Sequence, residues 1–362
     1  MLQECVIVPE QLLRYRPSGA ADTTQIAIGG MMRLINVPDI SPKDDAFTCL
    51  ETQERLEWVR LSGLPSNALE RNVKALRLSR YRAAMQAAIE VRHRDVVISH
   101  LPLMSTAVAL TLRIMNRRAR HIAWAFNFTA IPTGPRLRLM AKSLDSVERF
   151  IVFSDYERIL YPKIFGLDGS KFSKVMWAQD CPSVDSKFSL AIQRPYVCAI
   201  GGEGRDIDLV IRSAERFAKD LDFVIITRSY VAPQVAIPEN VHIIIDLPPE
   251  KTWAIAKNGL GVLVPLISND TCCGHITIVS AKLLGLPLVT TRSIATDEYV
   301  AGRKSILRST AGDLDDFCEQ IHDLIKRQIE LKEVAIADRN AESLIHSRRL
   351  WSELLNEILL DG

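Results

Sequence analysis

The chain has 362 residues, more than a single hydrophobic core usually holds, so we expect two domains. Hydrophobic residues make up 48% and charged residues 24% of the chain. This composition excludes an intrinsically disordered protein, because enough apolar surface is present to be buried. The 45 basic and 43 acidic residues leave a net charge of +2, so any attraction to anions has to come from local clusters.

The cysteines and the apolar segments indicate the compartment. Seven cysteines without a repeated Cys-x-x-Cys spacing are typical of reduced thiols in a cytoplasmic protein. Glu4, Glu10 and Arg14 interrupt the N-terminal segment, which therefore does not resemble a signal peptide. The longest apolar runs have about eight residues, whereas about 20 are needed to cross a bilayer. We expect a cytoplasmic protein that is soluble or peripheral at the inner face of the membrane.

The first half of the chain alternates strand-like and helical patterns irregularly. The predicted strands are residues 5–8, 95–99, 121–126 and 149–153. The predicted helices are residues 51–61, 68–91, 106–114 and 136–147. Residues 20–45 show no pattern that assigns them to an element.

The second half alternates more regularly. The predicted strands are residues 196–200, 223–227, 241–245, 261–266 and 288–291. The predicted helices are residues 206–219, 250–257 and 276–284, and residues 314–360 read as helical throughout. Such alternation indicates βαβ units and parallel sheets buried on both faces.

These elements predict an α/β protein with two Rossmann-like, doubly wound domains that face a central cleft. We place the domains at residues 1–185 and 186–335, with residues 336–362 forming a helix that packs back towards the N-terminal domain. The boundary fits a run rich in Pro, Ser and Asp near residues 178–194. Ligands of such folds bind at the carboxyl ends of the strands, against helix N-termini.

The first candidate site is the glycine-rich turn Ile-Gly-Gly-Glu-Gly-Arg-Asp, between a predicted strand and a helix. Backbone N–H groups at Gly201, Gly202 and Gly204 can approach an anion closely. Arg205 is placed to grip a phosphate with two parallel hydrogen bonds. A tight turn with a solvated arginine explains the same residues, because the spacing departs from the G-x-G-x-x-G fingerprint.

The second candidate site is the polar loop before the helix at residues 276–284. Free N–H groups at Gly274, His275 and Ile276 can cradle a diphosphate. Thr277 joins this set, although it can instead cap the helix.

Two adjacent cysteines in the same loop do not indicate a metal site. Cys272 and Cys273 cannot readily both point at one ion together with His275, and no second Cys/His pair is evident. We expect neither a metal nor a cofactor.

Several motifs carry a family resemblance. The pattern Ala-x-x-x-Gly-x-Pro-x-Val spans residues 281–289, and Gly-Asp-Leu follows at 312–314. In the first half, Phe-Ser-Asp-Tyr-Glu at 153–157 and the Phe-Gly pair at 165–166 complete the set. Together, over roughly residues 96–324, the chain resembles the GT-B glycosyltransferases of the family-four type, which act in polysaccharide and exopolysaccharide assembly.

The chain departs from that family at its paired glutamates. Alignment on the Gly-x-Pro motif puts Cys272 and Ser280 at the two glutamate positions. In the family the second glutamate holds the ribose hydroxyls of the donor, for which Ser280 offers one hydrogen bond. The family's first-domain histidine falls near Phe126 or Asn127. A divergent branch and a fold that has lost catalysis both explain these losses; we favour divergence because the glycine turns and Arg205 remain.

The resemblance implies a glycosyltransferase that moves a sugar from a nucleoside-diphosphate sugar to a lipid-linked or polysaccharide acceptor without a protein-bound metal. Arg205, the helix-start N–H groups and Lys282 or Arg228 would stabilise the departing diphosphate. A noncatalytic protein of GT-B shape that binds a nucleotide sugar or a partner is the main alternative, and an epimerase of similar shape is another.

An inverting transferase also needs a general base in the first domain. His100, at the end of a predicted strand, is our first candidate, followed by Asp180 and His121. Asn127 and Thr129 lie where an acceptor can be oriented.

Basic residues cluster in the first half and suggest an anionic membrane surface as a partner. They are Arg113, Arg117, Arg118, Arg120, Arg136 and Arg138. Ordinary solvated helix faces explain the same pattern.

Overall fold

The computed structural model describes residues 31–38, 55–67, 70, 78–231 and 233–361. It contains two six-stranded sheets whose strand pairs are all parallel. We refer to the parts built on these sheets as the first and second domains. The chain thus has the predicted α/β architecture of two doubly wound sheets.

The first sheet has the strand order β2-β1-β3-β4-β5-β6. Its strands are β1 Met32–Val37, β2 Leu56–Arg60, β3 Val96–His100, β4 Arg120–Trp124, β5 Arg149–Val152 and β6 Phe172–Lys174. The helices that follow in this domain are α1 Leu78–Glu90, α2 Pro102–Ile114, α3 Gly134–Leu144 and α4 Asp155–Phe165. Every residue of β3 is buried, as expected for a central strand covered on both faces.

The second sheet has the strand order β12-β11-β10-β7-β8-β9. Its strands are β7 Tyr196–Ile200, β8 Asp222–Thr227, β9 Val241–Ile245, β10 Val262–Val264, β11 Leu288–Thr291 and β12 Ile306–Ser309. The helices are α5 Ile207–Arg216, α6 Pro249–Asn258, α7 His275–Leu284, α8 Asp297–Val300 and α9 Leu314–Lys326. The strand order reverses direction at β7, and this switch point opens a crevice at the carboxyl ends of β7 and β10.

The sequence prediction fails in part of the first domain. Residues 56–60, predicted as helix, form β2, which pairs in parallel with β1. Their short sequence mixes apolar and charged residues in a pattern that fits a strand and a helix equally well, so periodicity could not separate the two. Strand β1 lies in the segment left unassigned, and the strand predicted at residues 5–8 lies outside the described residues.

The C-terminal segment is three helices rather than one. After α9 come α10 Gln328–Ile345 and α11 Arg348–Leu360. The break before α11 is set by Ser347, whose hydroxyl accepts a hydrogen bond from the N–H of Arg349. No helix within the described residues combines the length and apolar character needed to span a bilayer.

Helix α11 packs against the first sheet although it follows the second domain. Trp351, Leu355 and Ile358 join a buried cluster with Trp124 and Phe153. The rings of Trp124 and Trp351 meet edge to face, with centroids 5.6 Å apart. The C-terminal helix therefore holds residues of the first domain in place at the rim of the cleft.

Hydrogen bonds join the two domains directly. The hydroxyl of Tyr299 donates to the carbonyl of Phe153 and accepts from the N–H of Trp177, both at 2.8 Å. Lys174 forms an ion pair with Glu298. These contacts fix the two domains on either side of one cleft.

Candidate functional site

A cleft of about 590 Å³ lies between the domains. It is bounded by the carboxyl ends of β3 and β4 on one side, by those of β7 and β8 on the other, and by the start of α7. Of the residues predicted for the site, those that line it are His100, Asn127, Thr129, Gly201, Gly202, Arg205, Arg228, Gly274, His275, Ile276 and Thr277. The two glycine-containing turns therefore face the same space.

Glycine is required at two positions of the first turn. Gly201 has φ 126°, and a Cβ there would lie 2.8 Å from Arg205 Nε. Gly204 has φ 68°, and a Cβ there would collide with Cys273 Sγ. Gly204 does not itself line the cleft; it lets the loop before α7 approach closely.

Arg205 connects the two turns. Its Nε donates to the carbonyl of Ile200 and its Nη2 donates to Thr277 Oγ1, both at 3.2 Å. Burial lowers the pKa of the Arg205 guanidinium, which nonetheless stays charged because an arginine loses its proton only at very high pH. No carboxylate in the described part of the chain forms an ion pair with it. A partly desolvated cation without a counter-charge favours an anionic ligand at this point.

The start of α7 also favours an anionic ligand. Gly274, at φ 102°, precedes the helix, and no side chain among the described residues caps it through this position. Thr277 does not act as the cap; its hydroxyl accepts from Arg205. The uncapped N–H groups and the helix dipole are suited to a phosphate.

His275 contributes structure rather than charge. Its ring lies 4.6 Å from that of Tyr299, and its Nε2 is 3.2 Å from the carbonyl oxygen of Ala295. Burial lowers the pKa of His275 to about 4, so the ring is neutral at physiological pH.

Three first-domain candidates, His100, Asn127 and Thr129, line the opposite wall. His100 Nε2 is 2.8 Å from Asn36 Oδ1, an arrangement in which Nε2 carries the proton and donates to the amide oxygen. Asn127 Nδ2 donates to the carbonyl of Cys272 in the second domain at 3.4 Å. Leu101 directly follows β3 and has φ 69°, and Ala125 directly follows β4 and has φ 51°. Such strained backbone at a cleft is typical of functional sites.

Three sequence-based candidates are corrected by their positions. Asp180 lies outside the cleft lining, with its side chain 80% exposed. His121 is buried beside Ser99, 2.7 Å from the hydroxyl, and burial lowers its pKa to about 3. Lys282 is buried beneath α7, where Nζ donates to the carbonyl of Tyr299 at 2.8 Å and pairs with Glu342 at 2.6 Å. None of the three reaches the space in which the candidate ligand would lie.

Ser280 is also absent from the cleft wall. Its hydroxyl accepts from Gln179 Nε2 at 2.7 Å, and its side chain is buried. Gln179 itself lines the cleft and belongs to the segment between the domains. The Ser280 hydroxyl is therefore already hydrogen-bonded to the side-chain amide of Gln179 in the linker.

The sequence analysis did not predict several cleft residues that belong to the linker, the second domain and the last helix. They are Trp177, Gln179, Tyr230, Trp253, Arg348 and Trp351. Tyr230 follows Arg228 closely enough that a search around the end of β8 would have found it. The linker and α11 residues carried no such signal, because only the path of the chain brings them to the cleft.

Glu157 lies behind the site at the start of α4. Ser154 and Glu157 form a reciprocal helix cap: Ser154 Oγ accepts from the N–H of Glu157, and Glu157 Oε2 accepts from the N–H of Phe153. Burial raises the pKa of Glu157 to about 7, against the hydrogen bonds from Ser154, Phe153 and Tyr161 that lower it. Its folded-state pKa therefore lies above the unfolded value.

We expect Glu157→Gln to flatten the pH dependence of stability. A carboxyl group with a raised pKa stabilises the fold below the unfolded pKa of 4.5, and this contribution is lost as pH rises to about 7. The wild-type free energy of unfolding should fall relative to that of the variant between pH 5 and pH 8. Urea titrations of both proteins at the two pH values measure this difference. An unchanged difference would mean that Glu157 ionises normally.

The fold is identified by comparison with solved structures. No protein-family model matches the chain, and no curated protein matches it in sequence. Among solved structures, it is similar to Anabaena HepE in complex with UDP and glucose, with a TM-score of 0.69, 11% identity and coverage of 91% of this chain and 100% of that one. The sucrose-phosphate synthase of Thermosynechococcus elongatus gives the same four values. An α,α-trehalose 6-phosphate synthase from Burkholderia multivorans follows with a TM-score of 0.64, 9% identity and coverage of 92% and 99%.

This chain therefore has the GT-B fold of glycosyltransferases.

Proposed function

We propose that the protein is a metal-independent glycosyltransferase that moves a hexosyl or related group from a nucleoside-diphosphate sugar to a lipid-linked or polysaccharide acceptor. The observation that carries this proposal is the half-buried Arg205 guanidinium, which has no carboxylate partner among the described residues and lies beside the uncapped start of α7. Both groups line a cleft between the domains of a GT-B fold. The similarity to HepE, whose structures hold UDP, UDP with glucose or UDP-glucose, supports a nucleotide-sugar donor.

In this reaction the second-domain wall of the cleft binds the diphosphate, and the first-domain wall supplies the candidate base. The bond between the sugar and the diphosphate breaks, and the electron pair goes to the diphosphate oxygen. Arg205 and the N–H groups at Gly274, His275 and Ile276 stabilise that charge more strongly as it develops. An acceptor hydroxyl attacks the sugar carbon and loses its proton. His100 is the candidate base if configuration inverts.

A noncatalytic nucleotide-sugar-binding protein is the second candidate. It is favoured by Ser280, which stands where the resembling family has a ribose-binding glutamate and whose hydroxyl already binds Gln179. Such a protein would bind the nucleotide without turning over the sugar.

A transfer assay separates the two candidates. Purified protein is incubated with a panel of nucleoside-diphosphate sugars and with lipid and polysaccharide extracts, and products are followed by mass. We expect transfer of one sugar and its loss in Arg205→Ala. Nucleotide binding without transfer to any extract would instead support the noncatalytic candidate, and interconversion of the free nucleotide sugar would identify an epimerase.

A peripheral, cytoplasmic-face location fits the same proposal and depends on the basic residues of the first domain. Arg120 already pairs with Glu148 and donates to the carbonyl of Ile358. Arg117 and Arg118 are exposed after α2, and neither forms an ion pair within the described residues. They are therefore available to anionic headgroups.

We expect the double substitution Arg117→Gln and Arg118→Gln to weaken binding to phosphatidylglycerol vesicles by about 2 kcal/mol, or roughly 30-fold. Vesicle sedimentation at fixed ionic strength measures the change. Replacing Lys257 and Lys332 of the second domain with glutamine makes the same charge change at other exposed sites and should have little effect. Equal losses in the two double variants would contradict a specific membrane-facing surface.

A further inference from the structure

Arg348 is a cleft residue that the donor chemistry leaves unused. It is the first residue of α11 and lines the cleft at the end formed by Trp177 and Gln179 of the linker. Arg205 and Arg228, the other arginines among the described lining residues, belong to the second domain. The C-terminal helix thus brings a separate cation to the same cleft.

The hydrogen bonding of Arg348 is incomplete. Its Nε is 3.4 Å from Asp180 Oδ2, and no hydrogen-bond partner for this buried Nε exists within the described residues. The Asp180 side chain is 80% exposed while that of Arg348 is 26% exposed, so within the described residues the half-buried arginine is paired with a solvated carboxylate. Such a pair contributes little to stability.

A structural role at the helix start does not explain this arginine. The N-terminus of a helix carries partial positive charge, and a cation there is unfavourable. By contrast, Arg349, one residue further, is 83% exposed and pairs with Glu353 along the helix. An oxyanion in the cleft would therefore give the guanidinium of Arg348 a closer partner than the solvated Asp180 carboxylate.

We propose that Arg348 recognises an acidic group, a phosphate monoester or a carboxylate, on the acceptor sugar. Arginine binds either oxyanion with two parallel hydrogen bonds, and the anion would replace Asp180 as its partner. Trp177, half-buried with its indole N–H donating to Gln179 Oε1 at 2.7 Å, provides an adjoining apolar surface for the sugar ring. This inference rests on the proposed function, because it assigns the acceptor side of that cleft.

The test uses the tryptophans of the cleft as reporters. Trp124, Trp177, Trp253 and Trp351 line it, so intrinsic fluorescence reports ligand binding. Glucose, glucose 6-phosphate and glucuronate are titrated into the full chain, with and without saturating UDP, and UDP binding is measured separately by calorimetry. The variants are Arg348→Gln, the neighbouring control Arg349→Gln, and Asp180→Asn.

We expect at least one acidic sugar to bind about tenfold more tightly than glucose, and Arg348→Gln to abolish this preference while leaving UDP binding unchanged. Arg349→Gln should behave as wild type, and Asp180→Asn should bind the acidic sugar equally or more tightly. The phosphate and carboxylate probes distinguish the two sources of the acid group. No response to either acidic sugar, a preference that survives Arg348→Gln, or a loss of UDP affinity in that variant would overturn the inference. Failure of the wild type to bind UDP would count instead against the proposed function.

Discussion

Replacing Arg205 with alanine is expected to weaken UDP binding by about 1.5–3 kcal/mol, or about 10- to 150-fold. The side chain is half-buried at the junction of the two glycine turns, where a hydrogen bond to a diphosphate would be charge-assisted and only partly screened by water. Calorimetry on the folded variant measures the loss. Ser280→Ala should change UDP binding less, because its hydroxyl is bonded to Gln179 and does not line the cleft.

Controls separate binding from folding for this substitution. Arg212→Ala removes an exposed arginine from α5, whose side chain donates to the carbonyl of Asp208, and should leave UDP affinity unchanged. Arg205→Lys keeps a positive charge but loses the paired hydrogen bonds, so it should fall between wild type and alanine. An unfolding midpoint close to wild type shows that the variant is folded. Unchanged UDP affinity in such a folded variant would remove Arg205 from the site.

The sequence predicted the second domain better than the first for a physical reason. The runs that form β9 and β11 are rich in β-branched residues, bounded by turn residues and separated by helices, so their predicted limits matched those of the structure. In β2, by contrast, Leu56 and Trp58 are only half-buried at the edge of the sheet, and the pattern lacks a continuous apolar run. An edge strand is specified by its neighbour β1 as much as by its own residues.

The sequence likewise predicts some residues of the candidate site and not others. Gly201 and Gly274 are specified locally, because their backbone conformations require glycine, and the sequence reveals them. Lys282 was proposed as a cation that stabilises the departing diphosphate. Its partner Glu342 is 60 positions away, and no sequence spacing indicates that pairing. Likewise, Arg348 reaches the cleft only because α11 crosses to the first domain.

The buried ion cluster beneath α7 should have the largest effect on stability. Glu342 lies on α10 and pairs with Lys282 of α7 at 2.6 Å and with Arg303, and all but about 2% of its side chain is buried. Glu342→Ala removes the carboxylate partner of Lys282 in the interior, where burial already lowers the lysine pKa to about 8, so we expect a loss of about 3–5 kcal/mol in the free energy of unfolding. Glu353→Ala, which breaks an exposed pair on α11, should cost at most about 1 kcal/mol. Urea titration of both variants measures the contrast.

The pH dependence identifies the cause of that loss. Burial raises the pKa of Glu342, but the His346 hydrogen bond and the charges of Lys282 and Arg303 outweigh it and hold the pKa at about 2. A lowered carboxyl pKa stabilises the fold above the unfolded value of 4.5, and this contribution is lost as pH falls towards 2. The stability gap between wild type and Glu342→Ala should therefore narrow between pH 7 and pH 3. The double variant Lys282→Met with Glu342→Leu should recover part of the loss, because it removes the buried lysine together with its carboxylate and leaves only the more exposed Arg303 without its partner. A gap that stays constant with pH and persists in the double variant would instead indicate lost packing between α7 and α10.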